Sequence, residues 1–427
     1  MLLAVTALVF VGLIALSMPI VFALGIAGTV GLWLGDFPLQ MLPSSLVAGS
    51  QNWVLLAIPS FVFAGTVMER CGMSHALVDL ARVLVGWLRG GLGMSVIVVS
   101  YFFSDICGSK MAEVSALGST LMPPLTRAGY RPEDSASLIC SGTAMGMLVP
   151  PAIFMIVIGE VTNTSVVALF LAGFIPAATV GLCLCVLVFI EAHILGWPKD
   201  TRPSWRFLIK AAREAAVPMV VPVVILGGFY LGMFTATEAG AVVAFYAFLA
   251  ARFYYRNVSF AEMLRIAYDS ALLTAAVVFL LAVATIFQYL MGVTGVPILL
   301  GHLLEPLTSA HWLFLTGVAL MTMLFGMVLE GLPAAVVLIP VVFPIAMRLG
   351  INPIHFDIVQ TAAVGIGLFL PPMGVGLLMA LRFAQVPVGR HARRYWPYLI
   401  ALLVGLALII CIPELSLFLP RSAGMVR

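Results

Sequence analysis

Two stretches that each end in consecutive prolines decide the fold of this chain: CSGTAMGMLVPP at residues 140–151 and TAAVGIGLFLPP at residues 361–372. A Pro-Pro pair removes two backbone N–H donors and clashes with the preceding helical turn, so an apolar helix must break there. One such pair alone would predict only a kink. The two pairs lie 221 residues apart, and breaks at matched positions favour a binding site.

The offset of 221 residues recurs elsewhere in the chain. It aligns Pro123 with Pro344, Gly146 with Gly367, and GYRP at 129–132 with GINP at 350–353. These coincidences predict an internal repeat. We expect a first half over residues 1–195 and a second half over residues 215–427, each with scaffold helices, a hairpin and a broken helix. A basic interfacial helix over residues 196–214 is expected to connect them.

The composition places the chain in a membrane. Of its 427 residues 63% are hydrophobic and 9% charged, whereas soluble domains carry about 25% charged residues. Charge-poor runs predict roughly ten to fourteen hydrophobic passes of about 20 residues, some of them half-passes. The first run, residues 1–35, is interrupted by Pro19, which predicts a kink or a hairpin turn. We therefore expect an all-α polytopic membrane protein.

Three basic stretches mark the predicted topology. They lie at residues 196–214, 252–265 and 382–394, and the positive-inside rule assigns them to the cytoplasmic side. Within the first stretch Trp205, Leu208, Ile209 and Ala212 share one helical face, a pattern typical of a helix in the membrane interface.

Each half also contains an apolar segment interrupted near its middle: SDICGSKMAE at residues 104–113 and GMVLEGLP at residues 326–333. The offset places Ser109 opposite Glu330. Both segments look like re-entrant hairpins, whose non-helical tips are tolerated at membrane depth only against protein or a wet cavity.

The charges at these tips are costly, because an ionised side chain at the bilayer centre costs at least ~2.5–3.5 kcal/mol. Lys110 and Glu113 can pair on one helical face. Asp105 then leaves a net negative charge that a cation, a proton or another helix must balance, unless the tip reaches the interface and Asp105 meets water. Glu330 is either a functional intramembrane acid or a structural helix cap.

The broken helices supply groups that bind ions. Carbonyls freed upstream of Pro150 and Pro371, with the hydroxyls of Ser141 and Thr143, form a ligand set suited to Na⁺. Helix N-termini that face the same point would attract a carboxylate.

The sequence resembles a known family at several motifs. TATEA at residues 235–239 is similar to the Thr-Pro-Thr-Glu-Ala motif of the large membrane subunit of TRAP (tripartite ATP-independent periplasmic) transporters. Further similarities are GY at 129–130, LVPP at 148–151, Ile339-Pro340 with Pro344, GINP at 350–353, HF at 355–356 and PPMG at 371–374. The resemblance covers nearly the whole chain.

This resemblance implies an inverted-repeat, elevator-type secondary transporter that imports an organic anion with Na⁺, typically a C4-dicarboxylate or sugar acid. Its implied partners are a small four-helix membrane subunit and a periplasmic solute-binding protein, in the lipid bilayer of the bacterial inner membrane, without nucleic acid. Implied substrate- and ion-binding residues are Gly108, Ser109, Gly142, Gly146, Pro150, Pro151, Glu330, Gly331, Gly365, Gly367, Pro371 and Pro372. Na⁺ is expected near Gly108, Ser109, Gly142, Gly331, Gly365 and Gly367.

The chain departs from the family pattern at the first tip, where CGSK at residues 107–110 replaces Ser-Gly-Ser-Ser. Ala152 and Leu370 replace a serine and a threonine beside the two Pro-Pro pairs, and Ala236 replaces the motif proline. These departures leave the Na⁺ ligands open, and the two charges Asp105 and Lys110 are candidates for altered ion or substrate preference.

The sequence leaves two alternatives to a transporter, an intramembrane enzyme and a channel. HExxH and Walker A motifs are absent, so zinc peptidase and nucleotide-hydrolysis chemistry lack their usual signatures. An intramembrane enzyme could use Ser104, Asp105 and Lys110, and a channel would need no matched breaks. We expect a transporter, no cofactor apart from the coupling ion, and no enzyme.

Overall fold

The computed structural model describes residues 2–103, 109–199, 204–296, 298 and 310–426, and every regular element in these ranges is a helix. The first half contains α1 Leu2–Ala15, α2 Ile20–Leu34, α3 Met41–Ala48, a 3₁₀ turn Trp53–Leu56, α4 Ala57–Arg70, α5 Met73–Val85, α6 Gly91–Phe103, α7 Lys110–Arg127, α8 Pro132–Gly146, α9 Ile153–Thr162 and α10 Val166–Ile194. The second contains α11 Trp205–Tyr230, α12 Ala236–Leu249, a π-helical turn Ala250–Tyr255, α13 Phe260–Val293, α14 His311–Leu329, α15 Gly331–Arg348, α16 Pro353–Gly367, α17 Val375–Ala384, α18 Val388–Cys411 and α19 Glu414–Ser422.

The internal repeat is visible in the helix boundaries. Helices α7 and α15, and likewise α8 and α16, begin and end at positions 221 residues apart. Helices α9 and α17 follow at an offset of 222 and end on residues with left-handed backbone, Asn163 (φ 54°) and Gln385 (φ 53°). The repeat predicted from glycine and proline spacing is therefore a repeat of whole elements.

The predicted breaks are confirmed at both Pro-Pro pairs. Helix α8 ends at Gly146 and α9 begins at Ile153, while α16 ends at Gly367 and α17 begins at Val375. The second hairpin is also confirmed, since only Glu330 separates α14 from α15, and the two helices pack on each other. In the first hairpin, residues 104–108 between α6 and α7 lie outside the described ranges.

The two broken helices run in opposite directions. Arg394, in the second turn of α18, pairs with Asp134 at the start of α8 at 3.6 Å. At the other end the hydroxyl oxygen of Thr162, the last residue of α9, lies 2.8 Å from Oδ2 of Asp357 in the second turn of α16. Each broken helix thus starts beside the place where the other ends, and the predicted inverted repeat is confirmed.

Packing between the halves is reciprocal. The second arm of the first hairpin, α7, packs on α17, and the corresponding arm of the second, α15, packs on α9. Such an exchange of equivalent contacts is the signature of a two-fold relation. Around these elements, α13 packs on α2, α3 and α4, α12 packs on α4, and α11 packs on α5.

Seven helices of the described ranges are long and apolar enough to cross a membrane, and five shorter ones are apolar. Helices α1 and α2 form the expected hairpin, with Ser17 in left-handed backbone at the turn. Residues 196–199 of the basic segment follow α10 without helical structure, and the residues from Trp205, capped by Ser204, open α11, which continues unbroken to Tyr230. No helix end therefore falls between residues 214 and 215, and the domain division there stays a prediction.

Candidate functional site

A cavity of about 200 Å³ lies between the start of α7 and the start of α15. Ser109 and Lys110 line it from the first half, and Glu330 and Gly331 from the second. The other lining residues are apolar: Met111, Met147, Ile153, Phe154, Leu273, Val277, Leu332 and Leu368. Both hairpins, the borders of both breaks and the scaffold helix α13 therefore meet at one small chamber.

Two helix N-termini border this chamber. Helix α7 begins at Lys110 after extended backbone at Ser109 (φ −147°, ψ 128°), and α15 begins at Gly331. Neither Ser109 nor Glu330 caps its helix with a side-chain hydrogen bond. A helix N-terminus carries roughly half a positive charge, so two of them with the Lys110 ammonium make this chamber suitable for an anion.

Lys110 and Glu113 form the ion pair that the sequence predicts, with Nζ and Oε2 2.8 Å apart. Their side chains are 7% and 0% exposed. Breaking a buried pair of this kind is strongly destabilising, because one charge remains without its partner. The ion pair holds the Lys110 ammonium at the wall of the chamber. It also partly neutralises the positive charge of Lys110 there.

Glu330 adopts a backbone conformation normally reserved for glycine, with φ 67° and ψ 172°. A non-glycine residue there costs of order 1–3 kcal/mol, and such residues cluster at functional sites. Because the Glu330 side chain makes no capping bond to α15, the structural-cap interpretation fails. The carboxylate-bearing side chain is exposed at the chamber.

The two broken helices cross in direct backbone contact. A Cβ atom on Gly365 would lie 2.5 Å from the Ala144 carbonyl oxygen and 3.1 Å from Cβ of Met147. Gly331 has a similar role at the second tip, where a Cβ would meet Val364 at 2.9 Å. Glycine is required at both positions because another backbone or core side chain fills the space.

Both breaks leave backbone carbonyls unpaired. Among the described residues, no N–H or O–H group donates to the carbonyl oxygens of Leu148, Val149 or Phe369. The peptide bonds Pro150–Pro151 and Pro371–Pro372 are both cis. The expectation of freed carbonyls upstream of the prolines is confirmed.

The remaining predicted site residues lie near the chamber but do not line it. The Ser141 hydroxyl donates to the Ser137 carbonyl at 2.8 Å, while the Thr143 hydroxyl is buried with no hydrogen-bond partner. Gly142 packs on Ser100. The others are buried in or beside the breaks, except for the half-buried Pro371 and the exposed Pro372: Gly146, Pro150, Pro151 and Gly367. Asp105 and Gly108, and the Ser104 of the enzyme alternative, lie outside the described residues.

The apolar lining residues were not identified in the sequence. Four of them could have been found from the repeat offset, since Met111 corresponds to Leu332 and Met147 to Leu368. Leu273 and Val277 lie one helical turn apart in the middle of α13, and nothing in that apolar stretch distinguishes the face that borders the chamber.

Comparison with protein families and known structures identifies the architecture. Residues 7–415 match the family model of the tripartite ATP-independent periplasmic transporter, DctM component. The chain belongs to this family. Family members are named as transport permeases, which confirms both the resemblance seen in the motifs and the expectation that the protein is not an enzyme.

Similar permeases come from several bacteria. The C4-dicarboxylate TRAP transporter large permease of Pseudomonas aeruginosa is 36% identical over 94% of this chain and 95% of its own length. The 2,3-diketo-L-gulonate TRAP large permease of Escherichia coli is 33% identical over 95% of both chains. The sialic acid TRAP large permease of Vibrio cholerae is 30% identical over 96% of this chain and 97% of its own. Among solved structures, the Alcanivorax borkumensis YdaH transporter shares the fold, with a TM-score of 0.56, 15% identity and 86% of each chain covered.

Proposed function

We propose that this TRAP large permease imports an organic carboxylate together with Na⁺ across the bacterial inner membrane. A periplasmic solute-binding protein would deliver the substrate, and a small four-helix membrane subunit would complete the transporter. The observation that carries this proposal is the chamber bordered by two helix N-termini and Lys110. The similar permeases are named for C4-dicarboxylate, diketogulonate and sialic acid, all of which are carboxylic acids.

The carboxylate fits the electrostatics of the chamber. The N–H groups at the starts of α7 and α15, which the Ser109 and Glu330 side chains do not cap, can donate to carboxylate oxygens, and the Lys110 ammonium adds a charge-assisted hydrogen bond. The apolar residues around this polar point would exclude water and strengthen those bonds. The substrate would lie at the starts of α7 and α15, which are the second arms of the two hairpins. It would therefore contact both halves of the protein.

Na⁺ would be carried as a second substrate. The free carbonyls at Leu148 and Phe369 are oxygen ligands of the type that hard cations prefer, and Glu330 supplies a negative charge at the chamber. Binding Na⁺ beside the carboxylate would offset two charges that are individually costly at membrane depth. Na⁺ is therefore proposed near Gly108, Ser109, Gly142, Gly331, Gly365 and Gly367.

The movement that carries both substrates would be of the elevator type. The hairpins and broken helices pack on one another through reciprocal contacts, whereas α13 touches the chamber with the apolar residues Leu273 and Val277. An apolar contact surface of this kind favours sliding, because no hydrogen bond or ion pair among the described residues joins α13 to the starts of α7 and α15.

Proteoliposomes that contain both membrane subunits, with purified binding protein outside, test the proposal. Uptake of a radiolabelled carboxylate bound by that protein should require an inward Na⁺ gradient and should saturate with substrate. A matched K⁺ gradient serves as the control. Uptake that persists without Na⁺, or unsaturable single-channel currents, would overturn the proposal and favour the channel alternative.

A further inference from the structure

One of the buried acids does not line the substrate chamber. Asp357, in the second turn of α16, is 0% exposed. Its Oδ2 atom lies 2.8 Å from the Thr162 hydroxyl, the Thr164 hydroxyl is a further neighbour, and no described residue is a hydrogen-bond partner of its Oδ1 atom. No sequence motif singled out this residue, and the proposed symport of Na⁺ and carboxylate does not use it.

Charged groups on the neighbouring helices do not balance Asp357. The titratable residues on its own helix and on the helices packed against it are His355, Glu133, Asp134, Cys140, Glu160, Cys183, Cys185, Glu191, His193, His311, Arg348, Arg390, His391, Arg393, Arg394, Tyr395, Tyr398, Cys411, Glu414 and Arg421. Within the described ranges none of them forms a hydrogen bond or ion pair with the Asp357 carboxyl group, whose side-chain partners are the hydroxyls of Thr162 and Thr164. Several are engaged elsewhere, such as Glu414 with Arg421 at 2.5 Å.

The contacts of Thr162 favour a protonated Asp357. The Thr162 hydroxyl oxygen lies 2.8 Å from the Ile158 carbonyl oxygen and 2.8 Å from Asp357 Oδ2. A carbonyl and an ionised carboxylate both accept only, so the single hydroxyl hydrogen would have to be shared between them in a three-centre bond. If Asp357 is protonated, its O–H donates to Thr162, and Thr162 donates to Ile158. Every close contact is then a hydrogen bond.

A path of hydroxyl groups leads from this carboxyl to the protein surface. Thr162 Oγ1 lies 2.9 Å from Thr164 Oγ1. Thr164 lines a polar cavity of about 540 Å³ at the end of α9, together with Asn52, Glu160, Asn163, Ser165, Thr235 and Thr237. The basic residues at the start of α18 contact the opposite end of the broken helix, so the positive-inside rule places this cavity on the periplasmic side.

We propose that Asp357 is a proton-binding site of this permease, loaded from the polar cavity through the hydroxyls of Thr164 and Thr162. A hydronium ion in the cavity gives a proton to Thr164 while the Thr164 hydrogen passes to Thr162 and the Thr162 hydrogen passes to the ionised Asp357 Oδ2. The hydronium ion becomes water, the Asp357 carboxylate becomes a neutral acid, and both hydroxyls end neutral. This site is independent of the identity of the coupling ion and adds proton sensitivity to transport.

Infrared spectroscopy of the purified chain tests the site without requiring transport. The difference spectrum between wild type and Asp357→Asn at neutral pH should show the C=O band of a protonated carboxylic acid. Glu160→Gln, which changes an acid of the same cavity outside the hydroxyl path, should retain that band. A wild-type spectrum that lacks the acid band, with a carboxylate band lost in Asp357→Asn, would overturn the proposal.

The path has its own test. On transfer to D₂O the acid band should shift quickly in wild type, whereas in Thr164→Val the shift should slow by roughly a hundredfold, the lower end for a positioned proton-transfer group. An unchanged exchange rate would overturn the role of Thr164.

The transport consequence is measured at saturating Na⁺. Wild-type uptake should fall as the external solution becomes alkaline, and Asp357→Asn, which cannot ionise, should lose this dependence. Because the Na⁺ requirement is measured separately at one pH, failure of the symport proposal is distinguishable from failure of the proton site. An unaltered pH profile in Asp357→Asn would contradict proton sensitivity through this residue.

Discussion

Lys110 and Glu330 represent two ways in which one residue prepares a site. Lys110 brings a cation to the chamber and holds it there through a buried pair with Glu113. Glu330 places an acid at the tip of the other hairpin, where its backbone conformation is strained. Lys110 therefore reaches the chamber through a long side chain, and Glu330 reaches it through an unusual backbone conformation.

Replacing Lys110 tests both its structural and its binding role. Lys110→Gln removes the ammonium partner of the buried Glu113, and we expect the free energy of unfolding to fall by about 3–5 kcal/mol. In Lys110→Gln/Glu113→Gln most of that stability should return. The KM for carboxylate uptake should stay raised roughly ten- to hundredfold, which is what loss of a charged hydrogen bond of about 1.5–3 kcal/mol predicts. A double variant with wild-type KM would show that Lys110 serves only Glu113.

Two substitutions at Glu330 separate backbone strain from charge. Glu330→Gly relieves the unfavourable φ and ψ angles and should raise stability by about 1–3 kcal/mol, measured as the midpoint of thermal unfolding in detergent. Glu330→Gln keeps the strain and should leave stability unchanged. Both should weaken the Na⁺ dependence of uptake while expression and membrane insertion remain intact. Wild-type Na⁺ dependence in both would remove Glu330 from the ion site.

At the scale of elements, the two broken helices depend on how closely they cross. Gly365 lies against the Ala144 carbonyl, so the end of α16 fits beside the end of α8 without an intervening side chain. This contact sets the distance between the two breaks, and hence between the free carbonyls of Leu148 and Phe369.

Gly365→Ala should therefore push the crossing apart. We expect a loss of about 1–3 kcal/mol in the free energy of unfolding, as for other overpacked cores, together with reduced uptake. Gly389→Ala is the matched control, because a Cβ at this helical position meets nothing within 4 Å. That control should be neutral or stabilising by up to about 1 kcal/mol. Equal stabilities of the two variants would contradict the close crossing.

At the scale of the whole molecule, the inverted repeat makes a topological prediction. Asn163 and Gln385 are the left-handed residues that end α9 and α17, and both are exposed. In a background with the exposed Cys411 replaced by serine, Asn163→Cys should react with a membrane-impermeant maleimide from the periplasmic side. Gln385→Cys should react from the cytoplasmic side. Labelling of both from one side would contradict the inverted arrangement.

Much of this architecture could be predicted, because glycine and proline act directly on the backbone. Their spacing in the sequence therefore indicates where helices break and repeat. The offset that pairs Pro150 with Pro371 also predicted the breaks and the position of the Glu330 tip. The apolar wall could not be predicted, since Val277 resembles every other apolar residue of α13. Asp357 was missed for a different reason: its partner Thr162 lies 195 residues away in sequence, and only the antiparallel packing of the two broken helices brings them together.

The two breaks share one design but differ in burial. Pro151 in the first break is buried, whereas its counterpart Pro372 in the second break is exposed, as is the neighbouring Met373. In a molecule with a pseudo-two-fold axis, an alternative conformation exists in which the first break is exposed and the second is buried. If that conformation is the other endpoint of transport, Met373→Cys should become shielded when the transporter moves through its cycle. The burial of the two breaks in one conformation would then predict their burial in the other.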